Sequence, residues 1–253
     1  MASQTRYTLI FIAVGQFLAA GVNAWTGLGT SLGDRAVRAG VPPELPLGLF
    51  FSIWGVIFLL YAFFAVHMLR ARDQRSLRLV GPLAAAGIGN ILWMVEAQLL
   101  AWMPLDYALL FVIAVPAWIA LRRFDEERRM GGGPMKQAED ALTGLLAGWI
   151  TAAIAVSTPP MIRYLTGLSA TDRPWLMLFA ALSVAAFGAW LAASRFTKGL
   201  WFYIALLWGV SGIAANNFVR TEMGFLGWAA AIAAVMIAVL RLSRGARGAS
   251  AWG

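Results

Sequence analysis

An all-α bundle of about eight membrane-spanning helices follows from three features of this chain. Of its 253 residues, 60% are hydrophobic and only 13% charged, where a soluble domain carries about a quarter charged residues. The apolar residues gather into runs of about 20, the length that crosses roughly 30 Å of hydrocarbon as a helix. Lys and Arg stand in the gaps between those runs and divide unequally between the two sides. A mean hydropathy of +0.73 agrees: a soluble fold this apolar could not cover its own surface.

Taken in order, the first run is 7–27, read as a retained helix because it is long for the apolar part of a secretory signal, a cleaved signal being the alternative. Residues 28–45 then form a loop. The second and third helices are expected over 46–69 and 79–102. The fourth, over 105–121, is the shortest and carries Pro116. A charged stretch, 122–140, follows; its Gly-Gly-Gly-Pro reads as a flexible hinge that could divide two bundles of four helices. The remaining helices are expected over 141–162, 174–194, 199–217 and 223–240.

Eight spans put Arg6, Arg70, Arg72, Arg75, Arg78, Arg122, Arg123, Arg128, Arg129, Lys136, Arg195, Lys198, Arg241, Arg244 and Arg247 on one side. Arg35, Arg38, Arg163, Arg173 and Arg220 fall on the other. Fifteen against five obeys the positive-inside rule, so both termini are expected in the cytoplasm. The same placement explains the net charge of +8 without a nucleic-acid partner, whose binding needs a clustered basic face. Absence of cysteine excludes disulfides, thiolate metal sites and thiol nucleophiles, and a single histidine, His67, excludes multi-histidine metal sites. No paired carboxylates or nucleophile–base set stands out, so no catalytic residue and no required cofactor is assigned.

Polar side chains inside a span are costly and turn towards the bundle interior. Asn23, Glu96, Gln98, Ser157, Thr158, Asn216 and Asn217 all fall in the outer half of the outward-running helices. Together they suggest a polar-lined pocket opening outwards beneath the 28–45 loop, Glu96 being the acid placed deepest. Residues near helix ends also meet the interface without any further role. Of the twelve tryptophans, Trp25, Trp102, Trp118, Trp175, Trp201 and Trp228 lie near helix ends, as an aromatic belt. Trp54, Trp93, Trp149, Trp190 and Trp208 lie within spans, where an indole fills gaps or offers a flat face and one N–H to a planar ligand. His67 is an axial-ligand candidate for a haem or chlorophyll metal, although a solvated histidine is the plainer reading.

At the second helix, Pro46, Phe50, Trp54 and Phe58 recur every four residues, on one face of a helix. This resembles the P-x-x-x-F-x-x-x-W-x-x-x-Y/F signature of the TspO/MBR family, the tryptophan-rich sensory and mitochondrial translocator proteins. Asn90 and Trp93 are similar to the family's N-x-x-W, and Trp149, Thr151 and Ala153 to its W-x-S-x-A. The three occur in the family's order, within a five-helix core over residues 1–165; 166–253 would add three helices, as in the larger branch of about 250 residues. The sequence departs from the pattern in three places. The first loop has Val41-Pro42-Pro43 in place of a tryptophan, the N-x-x-W is followed by Glu96 rather than the usual small residue and proline, and Ser157 stands where asparagine is common. The resemblance implies a receptor, sensor or transporter-like protein that binds a tetrapyrrole or similar planar ligand between helices. Its site would be Pro46, Phe50, Trp54, Phe58, Asn90, Trp93, Glu96, Trp149, Ala153 and Ser157. The competing expectation is an accessory subunit of a larger membrane complex, such as a photosynthetic pigment–protein assembly. The spacing of Gly144 and Gly148 permits close helix packing within or between chains, so a homo-oligomer is also open.

Overall fold

The computed structural model describes residues 3–31, 41–70, 74–126, 133–197 and 199–245, and among these every regular element is helical. Eight helices carry the fold: α1 Ser3–Ala20, α2 Ile53–Met68, α3 Gln74–Leu99, α4 Met103–Glu126, α5 Pro134–Thr166, α6 Pro174–Leu191, α7 Trp201–Val219 and α8 Gly224–Gly245. Those from α2 onwards, α2 counted from Gly48 and α6 to Phe196, are long and apolar enough to cross a membrane. The apolar part of α1, Tyr7–Ala20, is shorter. A break at Gly21 and a further helical turn, Val22–Thr26, carry the chain onwards before Gly27 ends it in the left-handed region, φ 68°. The expected continuous first span is thus helix, break and turn.

Odd-numbered helices run one way and even-numbered helices the other, so contacts group at two ends. At the Arg-rich end, Arg123 donates to the Arg78 carbonyl (2.8 Å) and Thr197 to Asp125 (2.9 Å), while the Arg241 guanidinium lies 5.7 Å from the Tyr203 ring centre. The first loop, the α3–α4 turn and the α5–α6 turn gather at the opposite end.

Helix α5 is the centre of the molecule. It packs against α2 and α4 on one side and α6 and α7 on the other, and 72% of its span window is buried, against 28% for peripheral α8. The Gly-Gly-Gly-Pro stretch therefore does not divide two four-helix bundles, because the helix that begins there belongs to both sets. Gly133 precedes α5 with φ 129°, and Pro134 opens its first turn, where a missing N–H costs nothing. Close packing of α5 on α7 depends on Gly144 and Gly148: a Cβ on Gly148 would stand 2.1 Å from the Phe202 carbonyl oxygen. Both glycines are thus spent within the chain.

Candidate functional site

The three in-span tryptophans of the motif meet where α2, α3 and α5 converge. Trp54 stacks on Trp93 with ring centres 6.0 Å apart and planes 29° apart, and meets Trp149 edge-on at 6.2 Å. Phe58 lies 5.5 Å from Trp54, and Phe51 meets Trp149 edge-on at 5.8 Å. A turn away on α3, Asn90 is fully buried and donates to Gln16 of α1 (3.0 Å). Four buried polar atoms here have no partner among the described residues: the indole N–H groups of Trp93 and Trp149, the Gln16 amide nitrogen and the Asn90 amide oxygen. Most buried polar groups in folded proteins are paired, and an unpaired one costs about 1–3 kcal/mol. Three donors and one acceptor left over beside three indoles are therefore uncommon.

The other candidate residues take different places. Residues Gly48–Ser52 wind as a 3-10 helix, three residues per turn, so the four-residue spacing does not keep one face. Phe50 turns to α7, 4.7 Å from Trp208, whose indole donates to the Phe50 carbonyl (2.7 Å). Pro46 also abuts α7: a Cβ on Gly212 would stand 2.9 Å from its own Cβ. Trp54 and Phe58 alone keep to the indole cluster. Ala153 and Ser157 are half-buried, one and two turns beyond Trp149 on α5. Glu96 is buried, and its carboxylate accepts the backbone N–H of Trp102 (2.8 Å), reaching over the turn to the start of α4. That contact satisfies one of the amides a helix start leaves open and sets negative charge at the positive end of its dipole. His67 is half-buried in the last turn of α2.

Polar residues expected to line an outward-opening pocket mostly close that end instead. Gln98 donates to the Ala19 carbonyl (2.7 Å) and accepts the Asn23 amide (3.2 Å), and Thr30 donates its amide to the Gln98 carbonyl (2.8 Å). One end of the first loop is thereby tied to α3. The other end is held still more firmly. Asn216 and Asn217 donate to the carbonyls of Pro42 (3.2 Å) and Pro43 (2.6 Å), and Leu47 donates to the Gly212 carbonyl (2.9 Å). Between them Glu44, 1% exposed, forms a two-pronged ion pair with Arg163 of α5, itself 5% exposed. Sequence reasoning missed this pair, since it joins residues 119 apart and both had been placed in loops. The middle of the expected lid, 32–40, lies outside the described residues.

Neither Trp190 nor Trp208 enters the cluster; they are 47% and 38% exposed on the outer surface of the bundle. Trp118, expected in the interfacial belt, instead walls a cleft of about 720 Å³ between α4 and α6, with α5 as its floor. Its indole donates to Thr151 (3.1 Å) and meets Phe196 edge-on at 4.7 Å.

Long apolar helices bundled about a buried central one define a multi-pass helical membrane protein. A family model described as TSPO-like protein matches residues 10–243. The chain belongs to that family, and the match runs from α1 into α8. No curated protein and no solved structure matches it.

Proposed function

We propose that this chain is a receptor, sensor or transporter-like membrane protein whose ligand is a planar hydrophobic molecule of the tetrapyrrole class, held at the Trp54, Trp93 and Trp149 cluster. The observation that carries this reading is the set of unpartnered buried groups at Trp93, Trp149, Gln16 and Asn90 beside stacked indoles. Indole faces suit a conjugated ring, and the spare donors suit its nitrogens or carboxylates. Access would follow release of the 41–47 segment from α5 and α7, so that the pocket opens towards the first-loop end. Binding rather than catalysis is the proposed role, supported by a chain with no cysteine and one histidine.

Residence in a bacterial inner membrane with the Arg-rich end in the cytoplasm completes the proposal, supported by fifteen basic residues against five. Reporter fusions after residues 75, 130 and 248 should report cytoplasm, and fusions after 38 and 168 the opposite side. An external signal at 130 would overturn the orientation.

Binding is tested by adding porphyrin to the protein in mild detergent and following tryptophan fluorescence. Trp54→Leu with Trp93→Leu removes the stacking pair and one donor, worth about 1–3 kcal/mol, so affinity should fall about tenfold or more. Unchanged affinity in the folded double variant would reject the cluster as the site.

A further inference from the structure

The cleft between α4 and α6 plays no part in that binding site, and its construction points to a different occupant. Phe111, Val115 and Phe187 at its mouth are exposed on the face of the bundle that meets lipid, whereas Ala114 and Thr151 at its back are buried. The polar groups inside satisfy one another: Trp118 donates to Thr151, and Thr151 to the Ala147 carbonyl (2.7 Å). The walls therefore present hydrocarbon and aromatic ring to whatever enters. At the Arg-rich end the cleft stops at Phe196, Arg122, Arg123 and Glu126, two cations against one acid. Arg122 uses its Nε on Glu126 (2.9 Å), a half-exposed pair that solvent screens, and Arg123 uses one Nη on the Arg78 carbonyl. Their remaining N–H groups have no partner among the described residues.

Length separates a lipid from a soluble compound. Phe111 and Arg122 are both on α4, and eleven residues at 1.5 Å each span about 17 Å. One leaflet of hydrocarbon is about 15 Å deep, half the usual 30 Å core. The cleft thus runs from near the bilayer midplane to the headgroup level of one leaflet, opens sideways, and carries a net positive charge at that level, two guanidinium groups against Glu126.

We propose that the cleft is a binding site for one anionic phospholipid of the leaflet at the Arg-rich end. Its acyl chains lie along α4 and α6 against Trp118, and its phosphate sits at Arg122 and Arg123. Guanidinium forks match phosphate oxygens, and basic pockets between spanning helices hold such headgroups.

The test is lipid retention by the whole chain, purified in mild detergent, exchanged into phosphatidylglycerol or phosphatidylcholine of the same acyl chains, and read by native mass spectrometry. Wild type should hold one phosphatidylglycerol about tenfold more tightly than phosphatidylcholine. Arg122→Gln with Arg123→Gln should abolish that preference. Val115→Trp, at the exposed mouth, should lower retention of both lipids with the helical circular dichroism unchanged. Equal retention of the two lipids by wild type, or a preference that survives the double Arg variant, would overturn the proposal. So would displacement of the retained lipid by stoichiometric porphyrin carboxylate, which would assign the cleft to the planar ligand. Loss of porphyrin binding in the Trp54 and Trp93 variant with the lipid preference intact leaves the two sites separate.

Discussion

Arg163→Met should detach the 41–47 segment rather than unfold the bundle, and the two costs can be compared. With Arg163 gone, Glu44, only 1% exposed, would be a buried charge without its partner, a loss of about 3–5 kcal/mol if nothing moves. The alternative is to release the segment into water, where the carboxylate is solvated. That gives up the bonds from Asn216, Asn217 and Leu47, each about 1 kcal/mol, plus the packing of Pro42, Pro43 and Pro46. Release costs about the same as retention or less, because water replaces the lost partners. The variant should therefore keep its helices and its unfolding temperature to within a few degrees while the segment opens. The chain has no cysteine, so Leu45→Cys adds a single thiol whose maleimide labelling reports the opening. Labelling should accelerate about tenfold or more in Arg163→Met, for a loss of 1.4 kcal/mol or more in the closed state. Pairing Arg163→Met with Glu44→Gln removes both charges and should restore slow labelling. Equal labelling rates in wild type and Arg163→Met would refute the clamp.

Two further substitutions probe the packing and the α3–α4 turn. Gly148→Ala would drive a methyl group towards the Phe202 carbonyl oxygen, 2.1 Å from the ideal Cβ; a loss of about 1–3 kcal/mol is expected in detergent or denaturant unfolding, and a neutral result would contradict the close approach of α5 and α7. Glu96→Ala should cost about 1 kcal/mol by uncovering the Trp102 amide, with porphyrin affinity unchanged; a large fall in affinity at constant stability would return Glu96 to the ligand site.

Helix number was legible because a run of about 20 apolar residues is a strong one-dimensional signal and charged residues break the chain between runs. Boundaries were less so. Helix α5 runs from Pro134 to Thr166, longer at both ends than the expected 141–162. The Trp54, Trp93 and Trp149 cluster was legible as motif residues on three helices, but the split of Phe50 from Trp54 was not, since a 3-10 turn leaves no periodic mark in five residues. Asn216 and Asn217 read as polar residues near a helix end, yet their partners are proline carbonyls 174 positions away. No local pattern encodes such a pairing. The α4–α6 cleft was equally invisible, because it arises from how two helices distant in sequence pack on a common third.

The latch on the first loop also sets an order of assembly. Pro42 and Pro43 leave the ribosome long before Asn216 and Asn217, 174 residues later. At synthesis rates of about 5–20 residues per second the interval is roughly 10–35 s. Glu44 meanwhile waits for Arg163, 119 residues downstream. Until α7 is inserted, the segment has no carbonyl partners and belongs in water, so the first loop is latched only once seven of the eight helices have been made. A nascent chain stalled before α7 would already contain Trp54, Trp93 and Trp149 in their helices, with the 41–47 segment still unlatched.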